Sequence, residues 1–385
     1  MKSNYRKLGE FIRQVDVRNV DGKEDNLLGV SVKKVFIPSI ANTVGTDFTK
    51  YKIVKKGQFT YIPDTSRRGD KMGIALLEDY EEGLVSNVYT VFEIIDEKRL
   101  MPKYLMLWFS RPEFDRYARF KSHGSVREVM DWEEMCNVEI PVPTYEEQCK
   151  IVEAYEIITN RILLKQKIND NLVEFLNTFY KELFSSTDTQ CLRVPLQKIC
   201  NKIGSGATPK GGKTAYIDEG IALIRSTNVF DFRFEYSDLA HINQSQAETL
   251  ANVTVESNDV LFNITGVSVA RCCMVPDDVL PARVNQHVMI VRPIKGEIMS
   301  YYIMFTLCAT DNKAKLLGIG QSGSTREAIN KQELESYEIP LPADAVLNKF
   351  GKVAKWVYEH IQHNVKEIQV LEEMKAVLLT RISSC

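Results

Sequence analysis

The 385-residue chain has no run approaching ~18 uninterrupted apolar residues, so it offers no candidate for a membrane-spanning helix. The opening stretch from Met1 to Lys7 leads into no apolar segment, and no secretory signal is expected. Eight cysteines are present, but none has the C-x-x-C spacing of a zinc site, and the one close pair is the adjacent Cys272 and Cys273. Reduced thiols and a cytoplasmic location are the expectation. Neither sign of charge is in excess: 49 basic residues stand against 51 acidic ones, with a pI near 6.3. That balance argues mildly against nucleic acid as a partner, since nucleic-acid-binding domains are usually basic.

A whole-chain sum hides local clusters. Between Lys50 and Lys71 lie seven basic residues (Lys50, Lys52, Lys55, Lys56, Arg67, Arg68, Lys71) against Asp64 and Asp70, and between Cys191 and Ile217 there are five and no acid. For each run, taken alone, a solvated face is the competing explanation. The hydrophobic share of 44% with 26% charged residues is that of a globular protein, and the length asks for two or three domains.

Catalytic motifs are equally scarce. The segment ATPKGGKT at 207–214 fits the loose form of a phosphate-binding loop, which works only between a buried strand and a long helix. Here the preceding residues make a poor buried strand, Pro209 interrupts the loop, and Asp218, Glu219 and Gly220 follow too soon for a long helix. Pro63-Asp64 with Asp96, Glu97 and Lys98 imitates a metal-dependent nuclease in a pattern short enough for coincidence. No Asn/Asp-Pro-Pro-aromatic motif of amino-methyltransferases occurs, and the five histidines are dispersed. No residue set assembles an active site.

What is present is a repeat. Residues 123–143, HGSVREVMDWEEMCNVEIPVP, align without a gap on 322–342, SGSTREAINKQELESYEIPLP, at an offset of 199, with nine of 21 positions identical. Chance supplies about one or two, so the chain is a tandem duplication. In both copies Ser and Glu (Ser125 and Glu128, Ser324 and Glu327) have capping-box spacing and predict a short helix. The N-terminus of that helix, together with Arg127 or Arg326, is suited to a DNA phosphate; the alternative is that the motif only starts the helix.

After each Pro-x-Pro the pattern becomes helical. Ile151, Tyr155, Ile158, Ile162, Leu172, Leu176, Phe179 and Leu183 lie at spacings of 3 and 4, with Lys165 and Asn169 filling the missing turns, and the second copy carries Phe350, Val357, Ile361, Leu371, Met374, Leu378 and Ile382 at the same offset. No glycine or proline interrupts the pattern between Ile151 and Phe184 or between Lys352 and Ile382, ~30 residues each, which predicts a coiled-coil-length helix needing a partner helix. Polar breaks at Lys165/Asn169 and His363/Asn364 would fix its register. Ahead of each helix, short apolar runs such as YKIV at 51–54, VYTVFEII at 88–95, VLFNI at 260–264 and VMIV at 288–291 predict strands, with short helices at 104–109 and 301–307. The fold class expected is α+β. Its parts are a mixed domain at 1–143, a long helix at 144–184, a linker at 185–190, a second mixed domain at 191–342 and a second long helix at 343–385.

The segment IPVPTYEEQC at 140–149, with the helix after it, resembles specificity subunits of type I restriction-modification systems, in which an Ile-Pro-x-Pro-x-x-x-Glu-Gln run ends each target-recognition domain and opens a long helix. The second copy keeps Ile339 to Pro342 but has Ala343-Asp344-Ala345-Val346-Leu347 in place of the Glu-Gln segment. GSGATPKGGK at 204–213, followed by GIALIRSTNV at 220–229, resembles the start of many such recognition domains, as VNQHV at 284–288 resembles another of their segments. The first domain lacks the Gly-x-Thr-Pro opening, and its FIPSIANT at 36–43 and Thr65-Ser66-Arg67-Arg68 resemble another subtype.

The resemblance implies two recognition domains at the ends of an antiparallel coiled-coil helix pair, related by a pseudo-twofold repeat. Each would read one half of a bipartite, interrupted double-stranded DNA target, and the helices would set the spacer. Two methyltransferase subunits would bring S-adenosylmethionine, and restriction subunits ATP and Mg²⁺, leaving no cofactor, no metal and no catalysis in this chain. The DNA contacts it points to are Ser66, Arg67, Arg68 and Arg127 in the first domain and Thr208, Lys210, Asn285, Gln286 and Arg326 in the second. Two other classes stand against it. A self-sufficient DNA enzyme would need a metal or nucleotide site, and a coiled-coil scaffold would leave the duplicated domains without a purpose.

Overall fold

A computed structural model of the chain describes residues 4–40, 43–64, 71–122, 129–184, 192–321 and 328–382. The chain forms two compact units, Met1–Leu163 with Val370–Cys385, and Leu164–Gln369.

In the first unit a four-stranded antiparallel sheet has the order Ile12–Val15, Thr90–Ile94, Phe59–Tyr61, Ile74–Leu76. Helix Pro102–Phe109 buries Tyr104, Leu105 and Phe109, which join Phe59, Phe92 and Phe114 in one aromatic core. Phe59 and Phe92 stack with centroids 4.9 Å apart, and Phe109 meets Phe59 edge-on at 6.0 Å, the offset and T-shaped geometries that aromatic quadrupoles favour. Strand Tyr5–Lys7 pairs antiparallel with Glu139–Pro141, tying the beginning of the domain to its end.

The second unit repeats this plan. Its antiparallel sheet runs Cys200–Ser205, Val288–Pro293, Val260–Asn263, Cys272–Met274; helix Gly296–Cys308 packs into the same core, and Leu192–Pro195 pairs with Glu338–Leu341. It adds a mixed sheet in the order Ala240–Ile242, Ile221–Ile224, Ala282–Val284, Thr254–Val255, in which Ile221–Ile224 and Ala282–Val284 are parallel. The four sequence segments expected as strands all contribute strands, and both segments expected as short helices are helical.

The two expected long helices span Tyr145–Phe184 and Asp344–Arg381, 40 and 38 residues. Thr144 and Glu147 form the capping box of the first: Thr144 donates its backbone N–H to Glu147 Oε2 (2.9 Å), and Thr144 Oγ1 accepts from the Glu147 N–H. The hydrogen bonds from Thr144 hold the Glu147 carboxyl below its ordinary range. The next residue explains the Gln of the motif. Gln148 is fully buried, accepts from the Met101 N–H (2.8 Å) and donates to the carbonyls of Arg99 (2.9 Å) and Pro143 (3.0 Å). Its equivalent at the repeat offset is Leu347, buried in the second unit's apolar core. The departure of the second copy therefore replaces a polar staple by an apolar one.

The helices pair antiparallel. In the second unit Lys165 reaches Asn364 (2.9 Å) and Glu367 (2.7 Å), while Phe179 stacks near Phe350 (5.9 Å). In the first, Lys375 lies 5.2 Å from the Tyr155 ring, and Leu379 and Ile382 join Ile151 and Val152 in the core. The polar break falls on Asn364, which is buried and also donates to Asn169 Oδ1 (2.7 Å); its neighbour His363 points outward. Met374, expected on the buried stripe, is half exposed. A heptad pattern drifts by ~20° per repeat on a straight helix, enough to carry one position off the seam.

Candidate nucleic-acid interface

In both units the same two segments are brought together. Met130 N–H donates to Pro63 O (2.9 Å), and Asp64 forms an antiparallel bridge with Val129. In the second copy Ile329 N–H donates to Ile264 O (2.9 Å), and Thr265 bridges Ala328. Val129 and Ala328 are 199 residues apart, so the duplication extends to this junction. Behind it Asp131 caps helix Trp132–Asn137 through the Glu134 N–H (2.8 Å), and Asn330 with Glu333 forms a capping box on Lys331–Ser336. In sequence, Ser66, Arg67 and Arg68 begin two residues after Asp64, and Arg127 and Arg326 stand two residues before Val129 and Ala328. These five, with the Ser/Glu capping pairs at 125/128 and 324/327, lie outside the described residues.

The second unit adds two further segments to the junction. Ile264 N–H donates to His287 O (3.0 Å), and Thr265 Oγ1 lies 2.7 Å from His287 Nδ1, whose Nε2 is 2.9 Å from Gln286 Nε2. With the Gln286 amide donating, His287 carries its proton on Nδ1 and donates it to Thr265. Asn285 Oδ1 accepts from the His287 N–H (3.0 Å), and its backbone carbonyl accepts from Gly206 N–H (3.1 Å). A Cβ at Gly206 would stand 1.8 Å from Val284 O, so only glycine permits this approach of the Gly-rich loop.

Of the four described residues expected to touch DNA, Thr208 and Lys210 are exposed on either side of buried Pro209. Asn285 is buried, and Gln286 is partly buried with its Oε1 shielded and without a hydrogen-bond partner. The segment before this loop, expected to make a poor buried strand, forms strand Cys200–Ser205 at the edge of its sheet, with only Cys200 and Ile203 buried. A nucleotide loop still does not result, because only the short 3-10 turn Gly212–Ala215 follows. In the basic run of the first domain, three of the described lysines are engaged within the protein. Lys52 is buried and donates to Tyr89 O (2.8 Å), Lys50 pairs with Asp47 (3.3 Å), and Lys56 pairs with Glu81 (2.7 Å).

Thr265, His287 and Gly206 belong to this junction and were not among the expected contacts. The signal was the repeat itself, extended from Ala328 to the segment that Ala328 bridges. Cys272 and Cys273 lie buried in one strand, and burial pushes both thiols up, which keeps them protonated and unreactive. Among the described residues no group of three or more His, Cys, Asp or Glu side chains is placed to hold a metal, and no helix is long and apolar enough to cross a membrane.

A duplicated α+β domain that gathers its loops at one junction and continues into a long helix defines the class, and comparison supplies the family. The type I restriction modification DNA specificity domain matches the chain twice, over residues 3–174 and 194–370. The chain belongs to that family. The type I restriction enzyme MjaIX specificity subunit of Methanocaldococcus jannaschii is 23% identical over 309 residues, which are 75% of this chain and 70% of that protein. A putative MjaX specificity subunit of the same organism is 22% identical over 192 residues, 49% of this chain and 44% of its own length. The crystal structure of the S subunit of a type I restriction-modification system from M. genitalium has the same fold, with a TM-score of 0.60 at 14% identity, covering 98% of this chain and 95% of that one.

Proposed function

We propose that this chain is the DNA-specificity subunit of a type I restriction-modification complex, each domain reading one half of a bipartite, interrupted target. The observation that carries the proposal is the doubled junction, present twice on a fold that the family matches twice. A single-domain reader has no need of two. In this reading Thr208 and Lys210, with Ser66, Arg67, Arg68, Arg127 and Arg326, contact bases and phosphates. Asn285 and Gln286 act behind them, holding His287 and the Gly-rich loop in position. Phosphate contacts set register, and side chains at base edges carry the sequence information.

Methylation and cleavage then fall to partners: two methyltransferase subunits carrying S-adenosylmethionine, and restriction subunits using ATP and Mg²⁺. The chain itself is non-catalytic, and its helix pair sets the spacer. Apolar side chains left exposed at helical spacing on the long helices, Leu164, Ile168 and Phe175 on the first and Val370, Met374 and Val377 on the second, favour helical partners. The test is methylome sequencing of cells with and without this chain in the presence of its methyltransferase. One bipartite motif, methylated only when the chain is present, is the expected result.

A further inference from the structure

The turn that follows Thr265 carries a side chain the polar network does not use. Val267 is 96% exposed, at the tip of the short 3-10 turn Gly266–Ser268. Isolated exposed apolar residues are common, and exposure alone assigns nothing. Here the backbone beneath the side chain is fixed. Gly266 has φ +67°, and Ala270, which has a Cβ, is held in the left-handed region at φ +62°. Val269 N–H donates to Gly266 O (2.9 Å) and Ala270 N–H to Asn263 O (2.8 Å); both residues are buried. A non-glycine residue keeps such a conformation only where its surroundings impose it, and such strain gathers at functional sites.

We propose that Val267 reads a thymine methyl group in the half-site of the second domain, an inference that rests on the DNA-reading role above. An isopropyl group neither donates nor accepts a hydrogen bond. Among base edges in the major groove, only the thymine C5-methyl offers it an apolar partner. The neighbouring Thr265 and His287 spend their polar atoms on each other and on Gln286, so Val267 is the side chain that projects from this turn.

The test uses the full chain purified with its methyltransferase partner and a duplex carrying the motif found by methylation mapping. Each thymine of the second half-site is replaced in turn by deoxyuridine, which lacks only the methyl group. The expected result is a single position at which uracil weakens binding ~4-fold, the worth of one buried methyl group. Val267→Ala, melting at the native temperature, should bind the thymine duplex as weakly as the native protein binds the uracil one, and should no longer distinguish the two. Specific binding that no uracil alters, or a Val267→Ala variant that keeps the native thymine preference, overturns the role of Val267 alone. Binding no tighter to the motif than to a scrambled duplex overturns the DNA-reading role along with it.

Discussion

Lys165 and Asn364 are separated by 199 residues, the offset of the internal repeat, and their side chains meet: the Lys165 ammonium donates to Asn364 Oδ1 across 2.9 Å. In an antiparallel pair of duplicated helices, a position meets its own counterpart only at the midpoint of the pairing. The polar contact therefore marks one register, and Glu367 and Asn169 complete it. Polar residues in an apolar seam specify register at some loss of stability.

Asn364→Leu should leave Asn169 without its donor and lower stability to urea by about 1–2 kcal/mol. The double variant Asn169→Leu/Asn364→Leu, which removes both amides and leaves Lys165 paired with Glu367, should recover that loss and broaden the set of pairings, read as weaker amide-exchange protection along both helices. A single variant as stable as the native chain would remove the register role.

Asp115 is buried, pairs with buried Lys34 at 2.8 Å and accepts from the Met72 N–H (3.0 Å), just beyond residues 65–70. Burial holds the Lys34 ammonium below its ordinary range, and Asp115 offsets this only in part. Asp115→Ala strands a buried cation and is expected to lose about 3–5 kcal/mol. Lys34→Met/Asp115→Leu should regain much of it in urea denaturation. If the double variant is no more stable than the single one, the loss comes from packing and not from the stranded charge.

Glu93 supplies a pH dependence. The Gln58 amide, donating at 2.8 Å, and then Arg13 hold the Glu93 carboxyl below its ordinary value of 4.5. A folded pKa below the unfolded one contributes stability that is fully present above 4.5 and disappears as pH falls through the folded value. The difference in Tm between the native chain and Glu93→Gln should be largest near neutrality and shrink below pH 4.5. A difference that stays constant down to pH 3 would contradict this.

The sequence made some of this plain and hid the rest for physical reasons. Long helices announce themselves because their apolar positions recur every three or four residues, as from Ile151 to Leu183. The repeat marked residues 123–143 and 322–342 as equivalent, yet not the segments that Val129 and Ala328 meet. The pairings of Asp64 with Val129 and of Tyr5–Lys7 with Glu139–Pro141 join residues 65 or more apart and leave no local period. The Gly-rich segment was recognisable from its residues. That Asn285 and Gln286 lie behind the surface was not, since hydrogen bonds to His287 and Gly206 depend on the mixed sheet that carries them. Asp131 and Asn330, each three residues before a Glu, were legible helix caps that the Ser-x-x-Glu just upstream overshadowed.

Exchange of one domain tests whether each domain reads its own half-site. Residues 1–143 are replaced by the equivalent segment of a relative with a different target, and methylated motifs are mapped in cells that also carry the methyltransferase. The two domains share the junction at Val129 and Ala328, but only the second has the mixed sheet built on Ile221–Ile224 and Ala282–Val284 among the described residues. An asymmetric target, one half of which changes while the other stays as it was, is the result expected. A motif that changes in both halves, or in neither, would contradict the account.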